Sequence, residues 1–169
     1  TNVGNFNGPD ITGPAADQEP RGAEFEAGEL TVDPDGLDEF DRQRAKLVAA
    51  IAAIDADIVG LIEIENDPNG TDSLSNLTDA LNAVSTRSYS FVDAGPIEGD
   101  PTNGAVEGDA IKVGLLYDTD TVAEAGALAI LDQSVDPDFQ TVGIQRPALA
   151  QSFEENASGE VFTVVVNHF

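Results

Sequence analysis

The sequence predicts a layered α/β or α+β domain built on mixed sheets, and three observations carry that prediction. Residues 37–54 and 73–84 place apolar side chains at three- and four-residue steps, the spacing of one helix face. Around them run short apolar or alternating segments with the spacing of strands. The order along the chain is strand, helix, strand, helix and then strands alone, so helices and sheets must bury one another's apolar faces in layers. A length of 169 residues suits one such domain.

Each element has its own signal. Residues 7–36, rich in Gly, Pro, Asp and Glu, read as a long acidic surface loop or insertion. The helix over 37–54 follows Asp35-Gly36 and turns Leu37, Phe40, Leu47, Ile51 and Ile54 inward, with alanines between them. Residues 58–62 are apolar almost throughout, as in a strand buried on both faces, and the run ends in acid at Glu63 and Glu65. The second helix, 73–84, takes Thr71 or Asp72 as its cap and turns Leu74, Leu77, Leu81 and Val84 inward. Strands are expected at 89–92, 110–117, 127–131, 148–153 and 161–167. The polar, Gly-containing stretch 154–160 joins the last two as a hairpin. The final strand stops on Phe169 without a turn or polar tail, so the chain reads as part of a larger fold.

Composition narrows the partners. Seven Lys and Arg stand against 32 Asp and Glu, a net charge of −25. A field of that sign repels bare nucleic acid and anionic membrane, and favours divalent cations or a saline medium that screens repulsion. The absence of cysteine excludes disulfides, zinc-thiolate sites and a cysteine nucleophile. No run approaches the roughly 18 apolar residues of a membrane span, and a soluble chain from which any leader has already been removed is expected.

Few residues are placed for chemistry. Glu63 lies at the carboxyl end of a buried strand, where open α/β sheets hold ligands, although from position alone a solvated strand-end carboxylate is the commoner explanation. A magnesium site needs only one or two carboxylates beside water and phosphate oxygens, so a sparse Glu and Asn set is sufficient. His168, the only histidine, ends the last strand as a structural or a catalytic group. Arg146 can clamp a phosphate or pair with one of the many carboxylates.

Six collinear segments give these residues a common setting. They are Asn-Val-Gly-Asn-Phe at 2–6, Glu-Phe-Asp-Arg-Gln-Arg-Ala-Lys-Leu-Val-Ala-Ala-Ile at 39–51 and Asp-Ile-Val-Gly-Leu-Ile-Glu-Ile-Glu-Asn at 57–66. Gly-Asp-Ala-Ile-Lys-Val-Gly-Leu-Leu-Tyr at 108–117, Arg-Pro-Ala-Leu-Ala-Gln-Ser-Phe at 146–153 and Val-Phe-Thr-Val-Val-Val-Asn-His-Phe at 161–169 follow in order. Together they resemble the endonuclease/exonuclease/phosphatase superfamily, and within it the secreted bacterial nucleases of the ExeM and NucH type. The resemblance implies an α+β, DNase I-like four-layer α/β/β/α sandwich, with residues 1–169 as its amino-terminal part and the carboxy-terminal half missing.

By the same resemblance, Asn2 and Glu63 would approach one magnesium or manganese ion at the carboxyl ends of neighbouring strands, with calcium a further candidate. His168 would help to protonate the leaving oxygen, Arg146 would contact a substrate phosphate, and Asp109 would orient His168. The implied protein is an extracellular, metal-dependent phosphodiesterase that hydrolyses DNA or RNA. Two departures stand out. The Gly-Asp-x-Asn strand and terminal Asp-His pair of the second half are absent, and Asp118-Thr119 replaces the usual basic Arg-Pro. Alternatives are a phosphatase or phospholipase on the same fold, or a non-catalytic structural or adhesive module that joins an extracellular assembly.

Overall fold

Two helices cover one face of a sheet because their apolar stripes meet residues of the same parity on its central strands. The computed structural model describes residues 2–6, 39–65, 72–94, 111–132, 135–136 and 146–168. Helix α1 (Glu39–Ile54) buries Val48 and Ile51, and α2 (Asp72–Asn82) buries Leu74, Leu77 and Leu81. Beneath them lie Val59, Leu61 and Ile64 of β2 (Ile58–Glu65), Leu116 of β4 (Ile111–Asp118) and Tyr89 of β3 (Tyr89–Phe91). With β1 (Asn2–Phe6) these strands form a four-stranded sheet in the order β1-β2-β4-β3, in which β1 and β2 are parallel and the other pairs antiparallel. Gly114 lets α2 come close: a Cβ there would stand 3.0 Å from a Leu74 methyl.

The other face of this sheet packs on a second, antiparallel sheet of β5 (Val122–Leu131), β6 (Arg146–Glu155) and β7 (Val161–His168), in that order. Val113, Leu115, Leu149, Phe153 and Val166 fill the space between the sheets, as facing sheets require. Phe153 stacks at a tilt between Tyr117, 5.3 Å away, and Phe162, 6.2 Å away. Three layers are thus present among the described residues: helices, sheet and sheet. The strand 58–62 is buried on both faces as expected, since Val59 and Leu61 pack under the helices while Ile58 and Ile62 pack toward the second sheet.

Several expectations are corrected. Ile54 and Val84 are 56% and 63% exposed rather than inward. Ile54 is the last residue of α1, and Asp55, at φ 53°, ends the helix directly after it. Val84 lies beyond α2, which stops at Asn82 because its side-chain amide bonds both backbone groups of Tyr89 at 2.8 Å. β5 begins at Val122, five residues before the expected 127, since Ala, Glu and Gly are poor strand formers that only the ladder with β6 holds extended. Strand β2 also runs on past Ile62 to Glu65. The hairpin at 154–160 is as expected, closed by bonds from Gly159 N to Glu155 O (2.8 Å) and from Glu155 N to Glu160 O (2.9 Å). The loop reading of 7–36 falls outside the described residues.

One polar group inside the sandwich stands out. Gln151, opposite Val164 on β7, is fully buried; its Nε2 donates to Ser152 O at 2.8 Å, while its Oε1 has no partner among the described residues. A buried acceptor left unpaired costs about 1–3 kcal/mol. Gln151→Met, close in volume, is therefore expected to raise stability by about 1 kcal/mol after loss of the Nε2 bond, read as a higher urea midpoint at unchanged m-value.

Candidate active site

Strict alternation along β2 would turn Glu63 toward the helices, beside Val59 and Leu61. The ladder prevents this. Leu61 pairs with Gly114 and Ile64 with Lys112, so Ile62 and Glu63 both stand opposite Val113 alone. This is a β-bulge, and its second residue, Glu63, has φ 65°, a left-handed backbone that a non-glycine residue adopts at a cost of about 1–3 kcal/mol. Two consequences follow. Ile64 returns to the helix-side core, and the Glu63 carboxylate reaches across to the second sheet.

There it meets His168, the last residue of β7: Glu63 Oε1 and His168 Nε2 are 3.7 Å apart, with the side chains 21% and 16% exposed. The separation is too long for a hydrogen bond. It places a carboxylate charge beside an imidazole nitrogen that can carry a proton. His168 Nδ1 is buried and has no partner among the described residues.

A second irregularity lies beside the histidine. Arg146 pairs with His168 and Leu149 with Val166, so Pro147 and Ala148 share Asn167 as their single opposite residue. Proline has no N–H to give a ladder, which suits it to such a bulge. Arg146 is therefore the register neighbour of His168, at the end of the sandwich where Glu63 lies. On the other side, Asn2 registers with Ile62, the residue before Glu63. Asn2 lies on β1 with four strand residues after it, rather than at the carboxyl end where both ligands were expected. The side chains of Asn2 and Arg146, and the whole of Asp109, lie outside the described residues.

The fold thus brings the backbones of Asn2 and Arg146 to the place where Glu63 and His168 meet. Among the described residues no three His, Cys, Asp or Glu gather as a metal-binding group. Glu63 is the carboxylate that faces His168, with Asn2 as a neighbour through register.

The opposite end of the sandwich holds another charged cluster. Arg87 donates to Asp55, Asp57 and Asp118 at 2.5, 2.6 and 2.8 Å. These bonds raise the Arg87 pKa, and the Arg87 bond holds Asp57 below its ordinary 3.8 despite partial desolvation. The cluster joins the α1–β2 connection, the approach to β3 and the end of β4, far along both strands from Glu63.

No protein-family model matches the sequence, and no curated protein resembles it significantly. Solved structures do match. An endonuclease/exonuclease/phosphatase family protein from Bacteroides thetaiotaomicron is similar over 76% of this chain and 42% of its own, at 14% identity and a TM-score of 0.52. The human Nocturnin catalytic domain, solved with a bound sulfate anion, is similar over 76% and 42%, at 18% identity and a TM-score of 0.47. This chain spans 42% of the length of each of those two structures. At 14% identity the Bacteroides protein shows the fold alone: an α+β, DNase I-like arrangement of two packed sheets with helices.

Proposed function

We propose that this chain is the amino-terminal part of a secreted, metal-dependent phosphodiesterase, a non-specific nuclease that hydrolyses DNA or RNA outside the cell. The observation that carries this reading is the Glu63 bulge, which places a carboxylate 3.7 Å from the imidazole of the only histidine. A strained residue two places before the end of β2 that aims an acid at a histidine motivates a chemical role.

The donor chemistry fits magnesium or manganese. Such ions accept one or two protein oxygens and keep water or phosphate oxygens for the rest, so Glu63 with Asn2 is an adequate set; calcium fits the same oxygens. When bound, the ion would polarise the phosphoryl oxygens and offset their developing charge. Glu63 holds negative charge near the end of β2. His168 carries a proton at Nε2 toward the leaving oxygen, and Arg146, its neighbour on β6, offers a charge to a phosphate. The net charge of −25 suits a saline medium in which repulsion between protein and nucleic acid is screened.

The longer protein that completes the fold is expected to degrade plasmid DNA in millimolar magnesium and to stop when EDTA is added. The 169-residue chain alone is expected to be inactive. No hydrolysis of DNA, RNA or bis(p-nitrophenyl) phosphate by the longer protein in magnesium, manganese or calcium would rule the nuclease out. Robust cleavage by the short chain would overturn the divided site.

A further inference from the structure

Glu63 and His168 belong to different sheets, so their separation depends on how closely β2 and β7 approach. The residues one step further into the sandwich make that approach. Gly60 of β2 faces Val166 of β7, and a Cβ built on Gly60 would stand 3.2 Å from Val166 Cγ2 and 3.7 Å from its Cγ1. Val166 is buried in the core between the sheets and lies two residues before His168 on the same face of β7. Gly60 lies three residues before Glu63, and the extra bulge residue returns both to the side facing the second sheet. The Gly60–Val166 and Glu63–His168 contacts are thus successive rungs between the same two strands.

We propose that Gly60 is a positioning residue: by lacking a side chain it sets the β2–β7 distance at which Glu63 and His168 face each other. Packed sheets stand about 10 Å apart with interdigitated side chains, and a close-packed core transmits the volume of one methyl group. An alanine at position 60 brings its Cβ to 3.2 Å from Val166 Cγ2, so Val166 must give by a few tenths of an ångström; on this proposal β7 takes up that shift and carries His168 with it. Strand formation is not at stake, because alanine suits an extended backbone at least as well as glycine. The kinetic consequence rests on the proposed reaction; the geometric one does not.

Two readouts keep these apart. In the 169-residue chain His168 is the only histidine, so its ring signals in a carbon–proton NMR spectrum need no assignment. At fixed pH, Glu63→Gln is expected to shift those signals. In a Gly60→Ala background the same change should shift them by less than half as much, and Val166→Ala added to Gly60→Ala should restore the response. Val166→Ile loads the same contact from the other strand and should act like Gly60→Ala, which covers the case in which Gly60→Ala does not fold. In the longer protein, Gly60→Ala is expected to lower kcat about fivefold to tenfold with KM within about twofold, and Val166→Ala in the same chain to recover most of the loss. A His168 response to Glu63→Gln that is unchanged by both Gly60→Ala and Val166→Ile overturns the proposal. So does a loss that Val166→Ala fails to reverse. A reversible NMR effect in a protein that hydrolyses no phosphodiester leaves the positioning role standing and refutes only the nuclease reading.

Discussion

Glu63→Gln in the complete protein is expected to lower kcat for bis(p-nitrophenyl) phosphate about a thousandfold, while KM changes less than about threefold. The amide keeps the size of the side chain and removes the charge that faces His168 across 3.7 Å. A group that acts mainly on the transition state shows its loss in kcat, and a group that only holds substrate shows it in KM. His168→Ala should cost a similar factor, since positioned proton transfer contributes about 10²–10⁴-fold. The double variant should fall far short of the product of the two losses, because groups that act together are not additive. Stability separates the chemical role from the backbone one. Glu63→Gly fits φ 65° without strain and should be more stable than Glu63→Gln while equally inactive, as read by urea midpoints. Turnover within a factor of two of the parent for Glu63→Gln would return the carboxylate to an ordinary strand end.

The second large effect lies at the other end of the sandwich. Asp118→Ala is expected to destabilise the protein by about 3 kcal/mol, measured as a fall in the urea midpoint. Its side chain is 3% exposed, its Oδ2 accepts from Arg87 at 2.8 Å, and its Oδ1 accepts from Ser88 N at 3.3 Å and from Asp120 N at 3.1 Å. Removing it takes the acceptor from two partly buried backbone donors and one of three carboxylates from the guanidinium. Asp57→Ala, at a site 56% exposed, should cost less than about 1 kcal/mol although its ion pair is shorter, because water screens it. Asp57 also contributes to the pH dependence. Its folded pKa lies below 3.8, chiefly through the Arg87 hydrogen bond, so its contribution is complete above the unfolded value and is lost as pH falls through the folded one. The gap in urea midpoint between the parent and Asp57→Asn should therefore narrow below about pH 4.

Asp118 shows how a residue's chemistry can be visible while its purpose is not. In the sequence, Asp118-Thr119 stands out only as acid where the resemblance leads one to expect a basic Arg-Pro. In the fold, Asp118 is a buried acceptor for an arginine 31 residues away. Arg87 gives no sequence signal of that role, because the turn at 85–88 must first bring it against three carboxylates that are distant along the chain.

What the sequence determined by itself is what short-range periodicity controls. The two helices, the inward Leu74, Leu77 and Leu81, the doubly buried β2 and the closing hairpin are legible because helix and strand faces repeat every 3.6 and 2 residues. Even the bulge leaves a trace: apolar residues at 59 and 61 give way to Glu63, and the pattern resumes one place late at Ile64. The tertiary structure alone decided what that break accomplishes. Whether Glu63 meets His168, whether Arg146 and Asn2 register beside them, and whether Gly60 lets β7 approach all depend on ladder register and sheet separation. Those are set by contacts between residues far apart in the chain, where one inserted residue reverses a face and one methyl group moves a sheet.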